Sequence, residues 1–272
     1  MPFFIRWTAD PVIFSLGPVS VRWYGLLFAS GFALGYWIMQ RVVRREHQPE
    51  RWLDTLLGLM ILGTLLGARL GHVFFYAWDY YRAHPGEILM IWQGGLASHG
   101  AAIGLFLAFW VFSRYVSKLP MTWVMDRMAM CVAFGGFFIR MGNLFNHEIV
   151  GAPTDLPWGF VFTLYPGDAL PIPRHPSQLY EALAYLAIGG WLLWRYLRTR
   201  DSLRAGLLTG YFLVLGFAAR FAIEFVKADQ EAFEADMALN MGQWLSIPLV
   251  LLGLFMILRA YRQPLPAAVA RP

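Results

Sequence analysis

The sequence is short of charge and almost without cysteine. Asp, Glu, Lys and Arg supply 14% of its 272 residues, against about 25% in soluble domains. The shortage is made up by apolar side chains: 58% of residues are hydrophobic and 17% aromatic. This balance argues against a soluble globule, a disordered chain and a coiled coil. The one cysteine, Cys131, leaves no internal disulfide, no Cys-ligated zinc and no Cys-X-X-Cys redox pair; it reads as a packing residue. Also missing are a phosphate-binding Walker loop and a Gly-X-Ser-X-Gly nucleophile elbow. His147-Glu148 opens like a zinc-protease motif, but the second histidine would fall on Gly151, so metal or acyl-serine hydrolysis has weak support. A net charge of +5 would raise nucleic acid as a partner in a soluble protein. In a membrane protein its location matters more, and no nucleic-acid partner is expected.

What the chain does have is long apolar runs. Seven are readable, near 19–40, 53–78, 91–113, 122–141, 177–197, 205–226 and 241–260, each close to the roughly 20 residues a transmembrane helix needs. The expected fold is therefore an all-α integral membrane protein of about seven transmembrane helices, forming one polytopic domain over 1–272. The first run is no cleavable signal: Asp10, Pro11 and Pro18 precede it, and the cluster Arg41, Arg44, Arg45 follows it. Positive residues collect on cytoplasmic loops. With the N-terminus outside, thirteen Lys and Arg fall on cytoplasmic segments and five on outer ones, with Arg69, Arg127, Arg140 and Arg220 inside spans. That asymmetry fixes the expected orientation, with the C-terminus cytoplasmic.

One connection is long. Residues 142–176 carry Pro153, Pro157, Pro166, Pro171, Pro173 and Pro176, with Val161 to Tyr165 as the one strand-like stretch; they read as a small Pro/Gly-rich outer head. The run Asp229, Glu231, Glu234, Asp236 reads as a solvated acidic face.

Ionisable residues inside spans are costly and are functional candidates by default. Tyr24, Arg69, His99, Arg140, the segment His175 to Glu181, Arg220 and Glu224 all fall toward the outer ends of their spans. Each also has a plainer reading. Arg220 and Glu224, four apart, share a helix face and could be an ion pair that neutralises itself, or a carboxylate orienting a guanidinium toward an anion. Arg69, among Gly67 and Gly71, could bridge helices. His99 between glycines could be an interhelical hydrogen-bonding residue, and Tyr24 an interfacial aromatic. The densest stretch, Arg140-Met141-Gly142-Asn143-Leu144-Phe145-Asn146-His147-Glu148 with Gly151, offers an arginine, two amides, a histidine and a carboxylate beside glycines that admit close approach. A helix cap alone rarely needs that set. The whole suits a phosphate carried on a lipid.

These residues resemble bacterial phosphatidylglycerol-prolipoprotein diacylglyceryl transferases. The family signature, approximately Gly-Arg-X-Gly-Asn-Phe-X-Asn-X-Glu-X-X-Gly, is matched by Arg140, Gly142, Asn143, Asn146, Glu148 and Gly151. Also similar are Gly94-Gly95 through His99-Gly100, the run Arg174-His175-Pro176-Ser177-Gln178-Leu179-Tyr180-Glu181, Arg69 among its glycines, Tyr24 after Arg22-Trp23, and the Arg220 to Glu224 spacing. The chain departs from the pattern at Ile139, at Leu144 and at Gly216, where the family usually carries glycine, phenylalanine and tyrosine.

The resemblance implies transfer of the diacylglyceryl group of phosphatidylglycerol to the lipobox cysteine thiol of a prolipoprotein signal peptide. Glycerol 1-phosphate is released at the outer side of the bacterial inner membrane, among membrane lipids, and 142–176 is then a periplasmic head. It implies catalytic roles for His99 as base and for Arg140 and Arg220 on the phosphate. Tyr24, Arg69, Asn143, Asn146, Glu148, Gly151, His175 and Glu224 are then substrate-binding, the two glutamates by orienting the arginines. No cofactor or metal is implied. The rival reading, a polytopic lipid or solute transporter, should show midplane polar sites and an inverted repeat, where this chain shows polarity at one end of its spans. A non-catalytic scaffold would not need the set at all.

Overall fold

The structure, a computed structural model, describes residues 4–17, 19–199, 202–228 and 237–264. It is mainly helical: α1 (Trp23–Arg45), α2 (Arg51–Phe75), α3 (Trp78–Tyr81), α4 (Ser98–Val111), α5 (Met121–Phe145), α6 (Ser177–Thr199), α7 (Leu207–Glu224) and α8 (Met241–Arg262). Six helical segments are long and apolar enough to cross a membrane: α1, α2, α4 with its continuation to Ser117, α5, α7 and α8. The chain is thus a multi-pass membrane protein. The expected fifth span, 177–197, is present as α6 with 23 residues but is not among the six. Gln178, Glu181, Arg195 and Arg198 dilute its apolar character. Leu251, Phe255 and Leu258 on α8 stay exposed, as a lipid-facing surface requires.

The chain divides into two compact units, Met1–Gly35 with Asp126–Pro272, and Tyr36–Met125. In the second unit α2 and α4 pack through glycines, so closely that a Cβ on Gly71 would come within 2.6 Å of Gly100 Cα. Small residues at such crossings let helix backbones touch. The expected third span starts later than 91 because Gly94 and Gly95 take φ of +86° and +69°, a left-handed path that ends any helix.

In the first unit α5 and α6 run antiparallel. Arg140 meets Glu181, Gly136 backs onto the Tyr185 ring and Gly189 onto Phe134, a register descending both helices in step. The other end of α7 lacks a side-chain cap of its own. Buried Asp126 of α5 supplies one, accepting from the amides of Gly206 (2.7 Å) and Thr209 (2.9 Å) and from Thr209 Oγ1 (2.8 Å). Those donors satisfy a carboxylate that burial would otherwise penalise. Helix α8 opens on a reciprocal Asn240–Gln243 capping box.

The segment after α5 forms a small head. Strand β1 (Ile5–Trp7) pairs parallel with β4 (Phe160–Phe162), which pairs antiparallel with β5 (Pro173–Arg174); β2 (Val12–Leu16) and β3 (Val19–Arg22) make a separate hairpin. Leu144, Val150, Phe160 and Phe162 form its core, joined by Trp7 and Tyr165. The strand-like stretch expected at 161–165 is therefore real but shorter, and its parallel partner comes from the N-terminal segment. Residues 142–145 belong to the last turn of α5. Asp229, Glu231, Glu234 and Asp236, read as an acidic face, lie outside the described residues, as do Arg200 and Arg271 of the charge count.

Candidate functional site

The first unit gathers polar side chains at one end of α5, α6 and α7. Arg140 projects from the last turns of α5 and pairs through Nε with Glu181 Oε2, in the second turn of α6. Glu181 Oε1 lies 3.3 Å from Lys227 Nζ, just past α7, and Lys227 Nζ lies 2.8 Å from Glu224 Oε2. Arg140, Glu181, Lys227 and Glu224 thus form an alternating ladder of charges. Glu181 is 1% exposed, Glu224 6% and Lys227 8%. Buried charges persist only when paired in this way, and the ladder ties the ends of three helices together.

A second network branches from Arg140. Its Nη1 donates to Asn143 Oδ1 (3.2 Å), Asn143 Nδ2 donates to Glu148 Oε1 (2.7 Å), and Asn146 Nδ2 donates to the same oxygen (3.2 Å). Because a carboxylate can only accept, both amides are oriented without ambiguity. Asn146 is then left with Oδ1 buried and unpartnered among the described residues, and so is Gln178 with Oε1, since its Nε2 donates to the Glu148 carbonyl at 2.7 Å. Buried acceptors without donors are uncommon.

The turn carrying these residues is fixed tightly. His147 and Ile149 hold positive φ, +54° and +57°. The His147 ring is fully buried with Nε2 2.9 Å from the Ala9 carbonyl, which makes it a structural pin. Gly151 is pressed against the His175 backbone, where a Cβ would come within 2.5 Å of the His175 carbonyl oxygen. Its amide donates to that oxygen at 2.9 Å. Tyr24 crosses Gly142, leaving 2.7 Å between its ring and the position of an added Cβ. His175 Nδ1 faces Tyr180 Oη at 3.2 Å, and burial pushes its imidazole below the usual histidine range. Nearby, Arg174 grips Asp168 with two bonds, 2.8 and 2.5 Å. That guanidinium holds the Asp168 carboxyl below the ordinary carboxylate range.

Three expectations are redrawn by this geometry. Glu224 serves Lys227, so among the described residues Arg220 has no hydrogen-bonded or ion-paired partner and its fork is unengaged. Glu148 reaches Arg140 through Asn143, and the carboxylate that holds Arg140 directly is Glu181. Arg69, in the second unit, is 1% exposed and donates to the carbonyls of Glu87 (2.6 Å), Ile88 (2.7 Å) and Gly94 (2.6 Å). It clamps the 87–95 segment, the helix-bridging alternative to a substrate contact. His99, also in the second unit, opens α4 and is exposed; its Nε2 lies 2.5 Å from Tyr76 Oη, the two rings stacked at 5.7 Å.

Sequence reasoning passed over Lys227 and Tyr76, and took Glu181 only as the end of the His175 to Glu181 segment, with no role of its own. Glu181 carried a signal, a carboxylate within an apolar run; Lys227 carried a weaker one, its i+3 spacing from Glu224. Cys131 is buried, its Sγ 3.6 Å from the Gly35 carbonyl, as expected of a packing residue.

The family model described as prolipoprotein diacylglyceryl transferase matches residues 11–259. A Tolumonas auensis protein named phosphatidylglycerol–prolipoprotein diacylglyceryl transferase is 50% identical over 257 residues, covering 94% of this chain and 98% of the relative. Proteins of the same name from Chloroherpeton thalassium (45% over 260 residues, 96% of each chain) and Porphyromonas gingivalis (44% over 277 residues, 97% of this chain and 98% of the relative) are similar at full length.

Proposed function

The chain belongs to the prolipoprotein diacylglyceryl transferase family, and on that premise we propose how its residues serve the transfer. The donor is phosphatidylglycerol and the acceptor the lipobox cysteine of a prolipoprotein signal peptide. The peptide's sulfur displaces the phosphate at the terminal carbon of the diacylglyceryl group: the C–S bond forms, the C–O bond breaks, and glycerol 1-phosphate departs. The nucleophile is supplied by the substrate, in keeping with an enzyme cysteine that is buried.

The observation that carries this reading is the pairing pattern of the two arginines. Arg140 is held in orientation by Glu181 and Asn143, while among the described residues Arg220 is left unengaged. Preorganised guanidinium donors stabilise a leaving phosphate as its charge develops, without reorganising at the moment of reaction. The amides Asn143 and Asn146, locked by Glu148, hold headgroup oxygens, and Tyr24, Gly151, His175 and the Glu224–Lys227 pair shape the walls. A thiol of pKa about 8.5 is only about 3% thiolate at pH 7. His99 is assigned as its base, with Tyr76 setting the imidazole, and Arg69 serves indirectly by holding the segment that leads to His99.

The outward orientation rests on the arginine and lysine asymmetry. It places the N-terminus and the 142–176 head in the periplasm and the C-terminus in the cytoplasm, within one polytopic domain of the inner membrane. The transporter reading has no support from the relatives, all named as transferases.

The test is incubation of the purified full-length chain with phosphatidylglycerol and a lipobox peptide, followed by mass spectrometry. A diacylglyceryl thioether on the cysteine is expected. Movement of lipid across liposomes without any thioether would return the transporter.

A further inference from the structure

Tyr185 follows Glu181 by one turn of α6, and its ring lies against glycines of both neighbouring helices. A Cβ added to Gly136 of α5 would stand 3.0 Å from Tyr185 Cγ, and one added to Gly216 of α7 would stand 3.9 Å from Cε1. Each glycine precedes an arginine by four residues, Gly136 before Arg140 and Gly216 before Arg220. Residues four apart share a helix face, so the phenol ring packs at the level of backbone one turn, about 6 Å, inward of Arg140 on α5 and of Arg220 on α7. The direction is inward, away from the helix ends at Phe145, Ser177 and Glu224 and toward the middle of the apolar segments. Among the described residues nothing hydrogen-bonds the Tyr185 hydroxyl. The charges of Arg140, Glu181, Arg220 and Glu224 all act on it, so it stands within electrostatic reach of the two arginines.

A glycerophospholipid bound with its phosphate at the arginines has its two ester linkages next in depth, before its hydrocarbon begins. A phenol at that level offers an O–H donor, and an ester carbonyl offers an acceptor that apolar surroundings leave unsatisfied. We propose that the Tyr185 hydroxyl donates a hydrogen bond to an acyl-ester carbonyl of the donor lipid, registering the diacylglyceryl carbon against the incoming sulfur. The proposal rests on the transferase reading above and adds a recognition element for the part of the lipid that is transferred. Glycines 136 and 216 leave the ring the width it needs, and Tyr185→Phe keeps that packing while removing only the hydroxyl.

The experiment compares full-length wild type and Tyr185→Phe on two donors of equal chain length, diacyl phosphatidylglycerol and its dialkyl ether analogue, which lacks the carbonyls. Thioether formation on a lipobox peptide gives kcat/KM for each. The wild type should lose about 3- to 10-fold on passing from ester to ether, the size of one neutral hydrogen bond. The phenylalanine variant should lose about as much on the ester lipid and be equal to wild type on the ether lipid. Wild-type activity of the variant on the ester lipid, or an equal loss on both lipids, overturns the assignment. If the variant does not fold, an ester-to-ether ratio of one for wild type overturns it alone. Wild type that makes no thioether from the ester lipid removes the transferase reading, and the assignment falls with it.

Discussion

Lys227 Nζ lies 2.8 Å from Glu224 Oε2, so the carboxylate that sequence spacing pairs with Arg220 is held by a different cation. The same ammonium reaches Glu181, which Arg140 also holds. Its removal by Lys227→Met should leave the buried Glu224 without its cation and Glu181 with Arg140 alone, and cost about 3–5 kcal/mol of stability. Chemical denaturation of the detergent-solubilised protein measures this. Adding Glu224→Gln should recover part of the loss, and a Lys227→Met protein as stable as wild type would show that the ladder contributes nothing.

Arg140→Lys separates charge from geometry. Lysine keeps the positive charge near Glu181 but cannot also present a planar fork to Asn143 and a phosphate. Loss of a directed donor that strengthens as charge develops should lower the rate by about 10²- to 10³-fold. A residue that merely ties α5 to α6 would instead lower yield or melting temperature with turnover per folded molecule intact. Transferase rate divided by folded protein decides, and a variant within threefold of wild type on that scale refutes the clamp.

The acid limb of stability in the head follows from Asp168. Its carboxyl is held below its ordinary range first by the hydrogen bonds from Arg174, so the folded state binds that proton less readily than the unfolded chain. The resulting stability is present above the unfolded carboxylate value, about 3.9, and is lost as pH falls through the lower folded value. Asp168→Asn should therefore lower stability at neutral pH and flatten its dependence below pH 4. Melting temperatures of both proteins from pH 2 to 7 check this, and parallel curves would remove Asp168 as a source of acid sensitivity.

Much of this was legible in the sequence because membrane helices announce themselves in long apolar runs. The Arg140 to Gly151 cluster is equally plain, because its residues lie close together in the chain. What stayed hidden was set by non-local contact. The pairing of Ile5 with Phe160 joins segments over 150 residues apart, and no local pattern points to it. Arg69 looks alike in sequence whether its fork meets a phosphate or carbonyls, and only the left-handed turn at Gly94 and Gly95 decides in favour of carbonyls. Lys227 lies just past an apolar run, where it counts as a loop charge, until the last turn of α7 swings it back over Glu224.

His99 and Tyr76 test the proton path. With His99 Nε2–H donating to Tyr76 Oη, Nδ1 keeps the lone pair that a base needs. If His99 accepts the thiol proton, His99→Gln should lower turnover by about 10²- to 10⁴-fold. Tyr76→Phe, which removes only the neighbouring hydroxyl, should cost less than tenfold. Rate profiles from pH 6 to 9 check both, and near-normal turnover of His99→Gln across that range would move the base elsewhere.

The buried, unpartnered Oδ1 of Asn146 makes a forecast about the headgroup. Glu148 fixes the amide so that its oxygen must accept, and the glycerol of phosphatidylglycerol brings hydroxyl donors that a phosphatidylpropanol lacks. If a headgroup hydroxyl fills that place, wild type should prefer phosphatidylglycerol by about tenfold, near the upper range for one hydrogen bond. Asn146→Ala should lower the rate on phosphatidylglycerol and reduce the preference toward one, because the acceptor that distinguishes the two lipids is gone. A purely structural Asn146 forecasts something different: its removal frees one side of Glu148 and slows both lipids alike, with their ratio kept. The measurement is the ratio of kcat/KM for the two donors in each protein, which cancels any shared loss of folded enzyme. A preference that survives Asn146→Ala unchanged assigns headgroup choice to other residues, with the Gln178 oxygen, the second unpartnered acceptor, next to be tested.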